Sequence, residues 1–345
     1  VRDVTLFSVY VYIHIHILYI YKMSDLVENK VQLLLAGQAL ENDICNVHTL
    51  ASDTTGAKSG QLTAHIPICL KTVTYIVAAV VINDQGEVLM IQEAKASCTG
   101  KWYLPAGRVE KNENLISAVK REVLEETGLV IGPTTLILVE CANGTWFRFV
   151  FTGDIVGGTL KTPDQANEES LQACWIRNIN DLPLRSNDII YLLDRGKSYV
   201  SNKTIPQHSH LMPITKSHTK LLLRLIVTSK KRATCRIRTH TQRITLTVVY
   251  DRPLLRHLHQ ANQNGRFQCI HDVPQHKPHG LLSVEFSGGQ EGDGLYLILL
   301  VSFKLPLEDV PVIEKYIWYE LSENVAESLA ARLPRNMTVP LKVVR

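Results

Sequence analysis

An α/β fold with a mixed sheet and helices on both sides is predicted by three features of the middle of this 345-residue chain. Two pairs of β-rich runs, 73–94 and 135–155, each fold back on a turn signal. Between them, residues 107–129 carry the periodicity of a helix. A further strand and a second helix follow at 170–179 and 186–200. Strands before and after a central helix bury their apolar faces as stacked layers.

Each element has a local cause. In "VTYIVAAVVINDQGEVLMIQEA" (73–94), Asn83-Asp84-Gln85-Gly86 separates two apolar runs, which reads as a hairpin. "KWYLPAG" is a short strand leading into Gly107, a glycine that lets the loop turn tightly. In "GRVEKNENLISAVKREVLEETGL" (107–129), Leu115, Val119 and Val123 recur every four residues and would face a core, and Gly128 fits a helix stop. "TLILVECANGTWFRFVFTGDI" (135–155) is a hairpin around Asn143-Gly144. "SLQACWIRNI" (170–179) is a strand, and "SNDIIYLLDRGKSYV" (186–200) a helix with Ser186 or Asn187 as its N-cap.

The chain is 45% apolar and 20% charged, which is globular composition at a length sufficient for two domains. A net charge of +4 is too small to argue for nucleic-acid binding. Seven cysteines without a C-x-x-C pair exclude the usual zinc and disulfide frameworks and fit reduced thiols in a cytoplasmic protein. Residues 1–22, "VRDVTLFSVYVYIHIHILYIYK", read as a leader outside the fold, a translation or gene-model extension. A membrane anchor is the alternative, but His14 and His16 interrupt the span. The first methionine is Met23, and residues 23–70 form a polar N-terminal segment.

On the 107–129 helix, Glu122, Glu125 and Glu126 stand at i, i+3 and i+4 and so share one edge. Each like-charge pair costs roughly 0.2–0.5 kcal/mol, which a cation placed among them would offset. Hard carboxylate oxygens at this spacing suit Mg²⁺. A solvated acidic face is the alternative.

The full string decides between them. Gly107, Glu113, Arg121-Glu122-Val123, Glu125-Glu126 and Gly128-Leu129 stand at every fixed position of the Nudix box, and the chain resembles a Nudix hydrolase. The resemblance implies an α/β/α sandwich over residues 71–200 that hydrolyses a phosphoanhydride with Mg²⁺, Mn²⁺ being a substitute. It implies that Glu122, Glu125 and Glu126, helped by the backbone carbonyl of Ala106, hold the metal. Gly107, Glu113 and Arg121 support that shell. A carboxylate takes the proton of the attacking water. Glu126 is the first candidate, and Glu168 or Glu169 in "DQANEESLQACW" the second, although that loop reads equally as a solvated surface.

The segments "AKASCTGKWYLPAG", "GTWFRFVF", "ESLQACW" and "PLRSNDIIYLL" further resemble the branch that hydrolyses 8-oxoguanine nucleoside diphosphates and so cleans the nucleotide pool. In that resemblance Asn187 and Asp188 read the oxidised base, the more so if burial raises the Asp188 pKa. The alternative is that they cap the helix. Trp146 or Phe149 could stack on the purine, though both also fit a core. Other diphosphates (ADP-ribose, a nucleotide sugar, a dinucleotide polyphosphate, a triphosphate) and a non-catalytic nucleotide sensor are the competing readings.

Residues 208–340 form a second, α+β region. Lys230, Lys231, Arg232, Arg236 and Arg238 read as a solvated strand face, and His257, His259, His271, His276 and His279 fit no metal spacing. "GLLSVEFSGGQEGDGLYLILLVSFK" followed by "KYIWYELSENVAESL" echoes the second hairpin and its Trp-bearing strand, Trp318 answering Trp175. No Glu-rich box stands between 250 and 280, so the region reads as a degenerate Nudix-like unit or an unrelated α+β domain. Its roles would be structural, partner-binding or the formation of a homo-oligomer.

Overall fold

The computed structural model describes residues 25–40, 68–201, 205–217, 221–230, 275–289, 293–309 and 318–344, and the backbone of 244–253. Residues 25–35 form helix α1. There follow β1 (Thr74–Ala79), β2 (Val88–Glu93), β3 (Trp102–Tyr103), β4 (Ala106–Arg108), α2 (Leu115–Thr127), β5 (Leu129–Ala142), β6 (Trp146–Gly158), β7 (Ser170–Ile176) and α3 (Asp188–Ser201). The second half contributes β8 (Ile214–Thr215), β9 (Leu221–Lys230), β10 (Ile244–Pro253), β11 (His276–Phe286), β12 (Leu295–Phe303), β13 (Tyr319–Glu320), α4 (Glu323–Ala330) and β14 (Leu341–Val343).

Helix α2 starts where Asn114 Oδ1 accepts the Ser117 N–H at 2.8 Å, and stops at Gly128, whose φ of 75° no branched residue tolerates well. The β5–β6 hairpin turns on Asn143 (φ 51°) and Gly144 (φ 68°), the left-handed pair that suits the twist of a tight hairpin. The 73–94 hairpin is only partly there. Its turn closes, with Asn83 N–H on Glu87 O and Leu89 N–H on Val81 O, but beyond the Ile82–Val88 bridge the two strands part. Strand β1 joins the sheet β14-β5-β6-β1-β4, and β2 the sheet β3-β2-β7. Residues 77–81 are buried without alternation, so this stretch is covered on both faces and its partners are not encoded locally.

Two cores flank the first sheet. Tyr75, Val77, Phe147 and Phe149 pack with Leu115, Val119 and Val123 of α2, and Ala78, Val80 and Val150 pack with Ile189, Leu192 and Leu193 of α3. Phe149 is therefore a core residue, not a stacking platform, while Trp146 is half-buried under the Arg148 guanidinium.

The second half repeats the strand arrangement of the first. In the order β4-β1-β6-β5 the successive pairings are antiparallel, parallel, antiparallel, and β10-β9-β12-β11 repeats them. Each half then ends on the other's sheet. After α3, β8 lies parallel to β11; after α4, β14 lies parallel to β5. The halves share one core, with Tyr75 edge-on to Phe286 at 4.8 Å, Tyr75 Oη donating to Asp293 O at 2.7 Å, and Cys69 N–H donating to Asp293 Oδ2 at 2.5 Å. The expected polar segment 23–70 contains α1, whose Val27, Val31 and Leu34 cover Leu222, Tyr296 and Ile298 of the second sheet.

Lys230 ends β9, and the other four residues of the basic cluster lie outside the described residues, as do residues 1–22, His257, His259 and His271. The His279 ring is engaged by Leu333 O at 2.6 Å and Ser302 Oγ at 2.7 Å. Among the described residues no helix is long and apolar enough to cross a membrane, and Cys69, Cys98, Cys141 and Cys174 are free thiols.

Candidate active site

The polar edge of α2 is organised by Arg121. Its Nε and Nη2 bind Glu113 at 2.9 Å each, and Nη2 also binds the Arg108 carbonyl at 3.0 Å, tying the 108–113 loop to the helix. Nη1 lies between Glu122 Oε1 at 2.8 Å and Glu125 Oε2 at 3.0 Å. The like charges on this edge therefore have a cation among them in the protein itself. Burial works against the Glu113 charge, but Arg121 and the Glu110 N–H outweigh it and hold the carboxyl below the usual range.

Gly107 is required for space rather than for a turn. A Cβ there would stand 2.1 Å from the Glu122 carboxylate, and its φ is not in the left-handed region. The tight-turn role expected for it gives way to close approach. Glu126 is 1% exposed and its Oε2 accepts the Ala106 N–H at 2.8 Å. Ala106 thus meets the site through its N–H as well as standing in the strand that enters the box. Burial drives the Glu126 pKa well above its ordinary value, against the Ala106 bond and with help from Glu122. Burial raises Glu122 too, opposed by Arg121.

Among the described residues no three His, Cys, Asp or Glu side chains are already closed into a ligand shell. The donor chemistry nevertheless fits a hard divalent cation. Glu122 and Glu125 already share one positive group, and Glu126 is a buried carboxylate beside them.

The 162–170 loop is fastened below α2 by Lys161, which sequence reasoning missed. Its ammonium, almost fully buried, donates to Glu125 O at 2.5 Å, Asn167 Oδ1 at 3.0 Å and Ser170 Oγ at 2.9 Å. Ser170 Oγ in turn donates to Glu126 O at 2.5 Å. Glu169 is half-buried with its charge felt at Glu122, whereas Glu168 is exposed. The loop thus brings Glu169 near the box and leaves Glu168 in solvent.

At the start of α3, Ser186 Oγ accepts the Asp188 N–H at 3.4 Å, and the Asn187 side chain is exposed. Asp188 does not spend its carboxylate on its own helix. Oδ2 accepts from Tyr103 Oη at 2.9 Å and from Arg148 Nη1 at 2.7 Å. Burial opposes the Asp188 charge, but Arg148 and Ser186 prevail and the pKa falls below its usual value, the reverse of the raised carboxyl expected from burial alone. Burial pushes Tyr103 up to about 12, which keeps its hydroxyl a donor near neutrality. Behind this pair, Arg148 Nε and Nη2 bind the fully buried Glu140, and Arg185 binds buried Glu93 at 2.6 Å while lying over the Tyr103 ring. Tyr103, Arg148, Glu140, Glu93 and Arg185 were not legible as site residues. The available signal was a charged pair set opposite each other across an otherwise apolar hairpin, "LILVECANGTWFRFVF".

The NUDIX domain matches residues 73–189. Relatives named "8-oxo-dGDP phosphatase NUDT18" include that of Danio rerio, 42% identical over 184 residues covering 53% of this chain and 52% of the relative. That of Mus musculus is 34% identical over 286 residues, 79% of this chain and 87% of the relative. That of Homo sapiens is 34% identical over 324 residues, 89% and 96%. The likeness thus spans about half of the fish relative and nearly all of the two mammalian ones, the second half included.

Proposed function

The chain belongs to the Nudix hydrolase family, and from that membership we propose that it hydrolyses 8-oxoguanine nucleoside diphosphates to monophosphates with Mg²⁺, in the cytoplasm, keeping damaged guanine out of nucleic-acid precursors. The observation that carries the substrate reading is the Asp188–Tyr103 pair. Tyr103 precedes Ala106 by three residues, so at most about 11 Å of chain separates its backbone from the box, with the hydroxyl one tyrosine side chain further. A nucleoside diphosphate can bridge that distance, base at one end and phosphates at the other.

The charge state of Asp188 suits an oxidised purine. An ionised carboxylate only accepts hydrogen bonds. Guanine presents a lone pair at N7, whereas 8-oxoguanine carries an N–H there. Oδ2 carries Arg148 and Tyr103, the Ser186 hydroxyl also reaches the carboxylate, and a remaining carboxylate lone pair would accept that N–H, whereas a guanine lone pair would face it unfavourably.

At the box, Glu122, Glu125 and Glu126 would hold Mg²⁺, which neutralises phosphate charge and acidifies bound water. Arg121 holds the carboxylates in place and Glu113 holds Arg121. Water attacks a phosphorus of the diphosphate, the bridging P–O bond breaks, and monophosphate and inorganic phosphate leave. Glu126 takes the water proton, as the buried carboxylate beside Glu122 and Glu125, and Glu169 is the second candidate. The second half is a box-less duplicate of the first, supported by its repeated strand order, and its role is to complete the fold of the first. Self-association would use its outer surface.

Asp188→Ala tests the recognition. Loss of a hydrogen bond to a charged group is worth about 1.5–3 kcal/mol, so the ratio of kcat/KM for 8-oxo-dGDP over dGDP should fall roughly ten- to a hundredfold while metal-dependent turnover of poor substrates persists. A lowered melting temperature with an unchanged ratio would move base reading elsewhere, with Asn187 and the 164–170 loop next.

A further inference from the structure

Behind the recognition pair lies a chain of charges that ends outside the NUDIX-matched region. Lys342, on β14, reaches Glu140 Oε1 at 3.1 Å, and its ammonium lies 3.8 Å from the centre of the Tyr191 ring. Tyr191 is on α3, three residues after Asp188. Glu140 is 1% exposed and Arg148 is 5% exposed, so this is an interior arrangement with only its ends in water.

The bonding pattern around Glu140 is unusual in one respect. An arginine and a carboxylate ordinarily pair fork to fork, each nitrogen on its own oxygen. Here Arg148 Nε (2.8 Å) and Nη2 (2.5 Å) both bind Oε2. Lys342 takes Oε1. With one carboxylate oxygen occupied, the guanidinium is held by its inner edge, and Nη1 is left to bind the Tyr103 hydroxyl at 2.8 Å and Asp188 Oδ2 at 2.7 Å. Without Lys342, Oε1 would be released to swing toward the same Nε–Nη2 edge, and closing a two-oxygen fork there would shift where the guanidinium presents Nη1 to Asp188.

We infer that Lys342, delivered by the last strand of the second half, is a specificity-determining positioning residue: through Glu140 and Arg148 it sets where the Asp188 carboxylate stands, and through Tyr191 it fixes the first turn of α3. The exchange of β14 onto β5 thereby makes the second half part of the recognition end. The inference rests on the reading of Asp188 given above.

The test uses the full chain and four variants, Lys342→Met, Lys342→Arg, Leu341→Ala and Asp188→Ala, with kcat and KM for 8-oxo-dGDP and dGDP and a melting temperature for each. Lys342→Met should lower the 8-oxo-dGDP preference about three- to tenfold, carried by KM for the oxidised substrate, and Lys342→Arg should restore most of it. Leu341→Ala weakens the packing of the same strand while keeping the charge, and should retain the preference. An unchanged preference in Lys342→Met, when Asp188→Ala loses it, overturns the positioning role alone. Equal loss in Leu341→Ala and Lys342→Met overturns it too, because strand docking rather than the charge would then be responsible. An unchanged preference in Asp188→Ala overturns the underlying reading of the base site, and this inference with it.

Discussion

Glu122, Glu125 and Glu126 differ in surroundings although the sequence spaces them as equals. Glu126 is almost wholly buried on the Ala106 N–H, Glu122 fills the space left by Gly107, and Glu125 is the most open, its carboxylate held by Arg121 Nη1 at 3.0 Å. Glu125→Gln and Glu126→Gln should each reduce turnover by at least about a hundredfold, since a neutral amide replaces an anionic ligand or base. Glu126→Gln should also leave the melting temperature equal or higher without metal, because it removes a buried charge. Retention of most activity in either variant, measured by phosphate release with Mg²⁺, would contradict the assignment. Ca²⁺, with its longer and looser coordination, should replace Mg²⁺ poorly. The box was legible because every fixed position is a residue type dictated by contact: a glycine under a carboxylate, and a Glu–Arg pair closing a loop. Asp188 was legible as a position but not as a charge state, since the arginine that sets it comes from another strand.

Among the elements, α2 and the β5–β6 hairpin were readable because their determinants are local: an Asn cap, a Gly stop and an Asn-Gly turn. The parting of β1 from β2 and the arrival of β14 were not, because they depend on pairings far apart in sequence. The 205–211 segment after α3 is pinned by such contacts. His208 N–H donates to Asn336 O at 2.7 Å, its ring packs against Tyr199 at 4.8 Å with a 37° tilt, and its Nε2 is buried without a partner in the described residues. Burial lowers its pKa to about 4, with the nearby Arg195 and Arg332 charges adding to the effect. The folded protein thus binds the proton less readily than the unfolded chain, whose histidine titrates near 6.5. The stabilisation from keeping His208 neutral is complete above about pH 6.5 and is lost as pH falls toward about 4, by at most about 3 kcal/mol. His208→Phe keeps the ring packing and removes the titration, so denaturant melts at pH 7 and pH 5 should differ less for the variant than for the parent. Equal pH dependence in the two would place the acid sensitivity elsewhere.

At the scale of the whole molecule the two halves fold as one. They share a core, exchange their final strands, and meet beside the box, where a Cβ on Gly288 would stand 2.4 Å from the Glu113 carbonyl. A fragment ending at residue 201 loses β14 and the Phe286 and Asp293 contacts to Tyr75, and should lack a cooperative thermal transition. A stable, fully active fragment would show the second half to be dispensable. The repeat behind this architecture was visible in the echoed hairpin, whereas Trp318 stands beside β13, which pairs with β10, and Trp175 lies in β7, which pairs with β2. The exchange was hidden, since β8 and β14 are two and three residues long and carry no pattern of their own. Selective hydrolysis of an oxidised guanine diphosphate at the box is decided by kcat/KM for 8-oxo-dGDP, dGDP, ADP-ribose and 8-oxo-dGTP with Mg²⁺ on the purified full chain, products identified by chromatography. Monophosphate and inorganic phosphate should form from 8-oxo-dGDP at least about tenfold more efficiently than from dGDP, and Glu126→Gln should abolish the turnover. Equal turnover of the two diphosphates, or a preference for ADP-ribose, would contradict that selectivity.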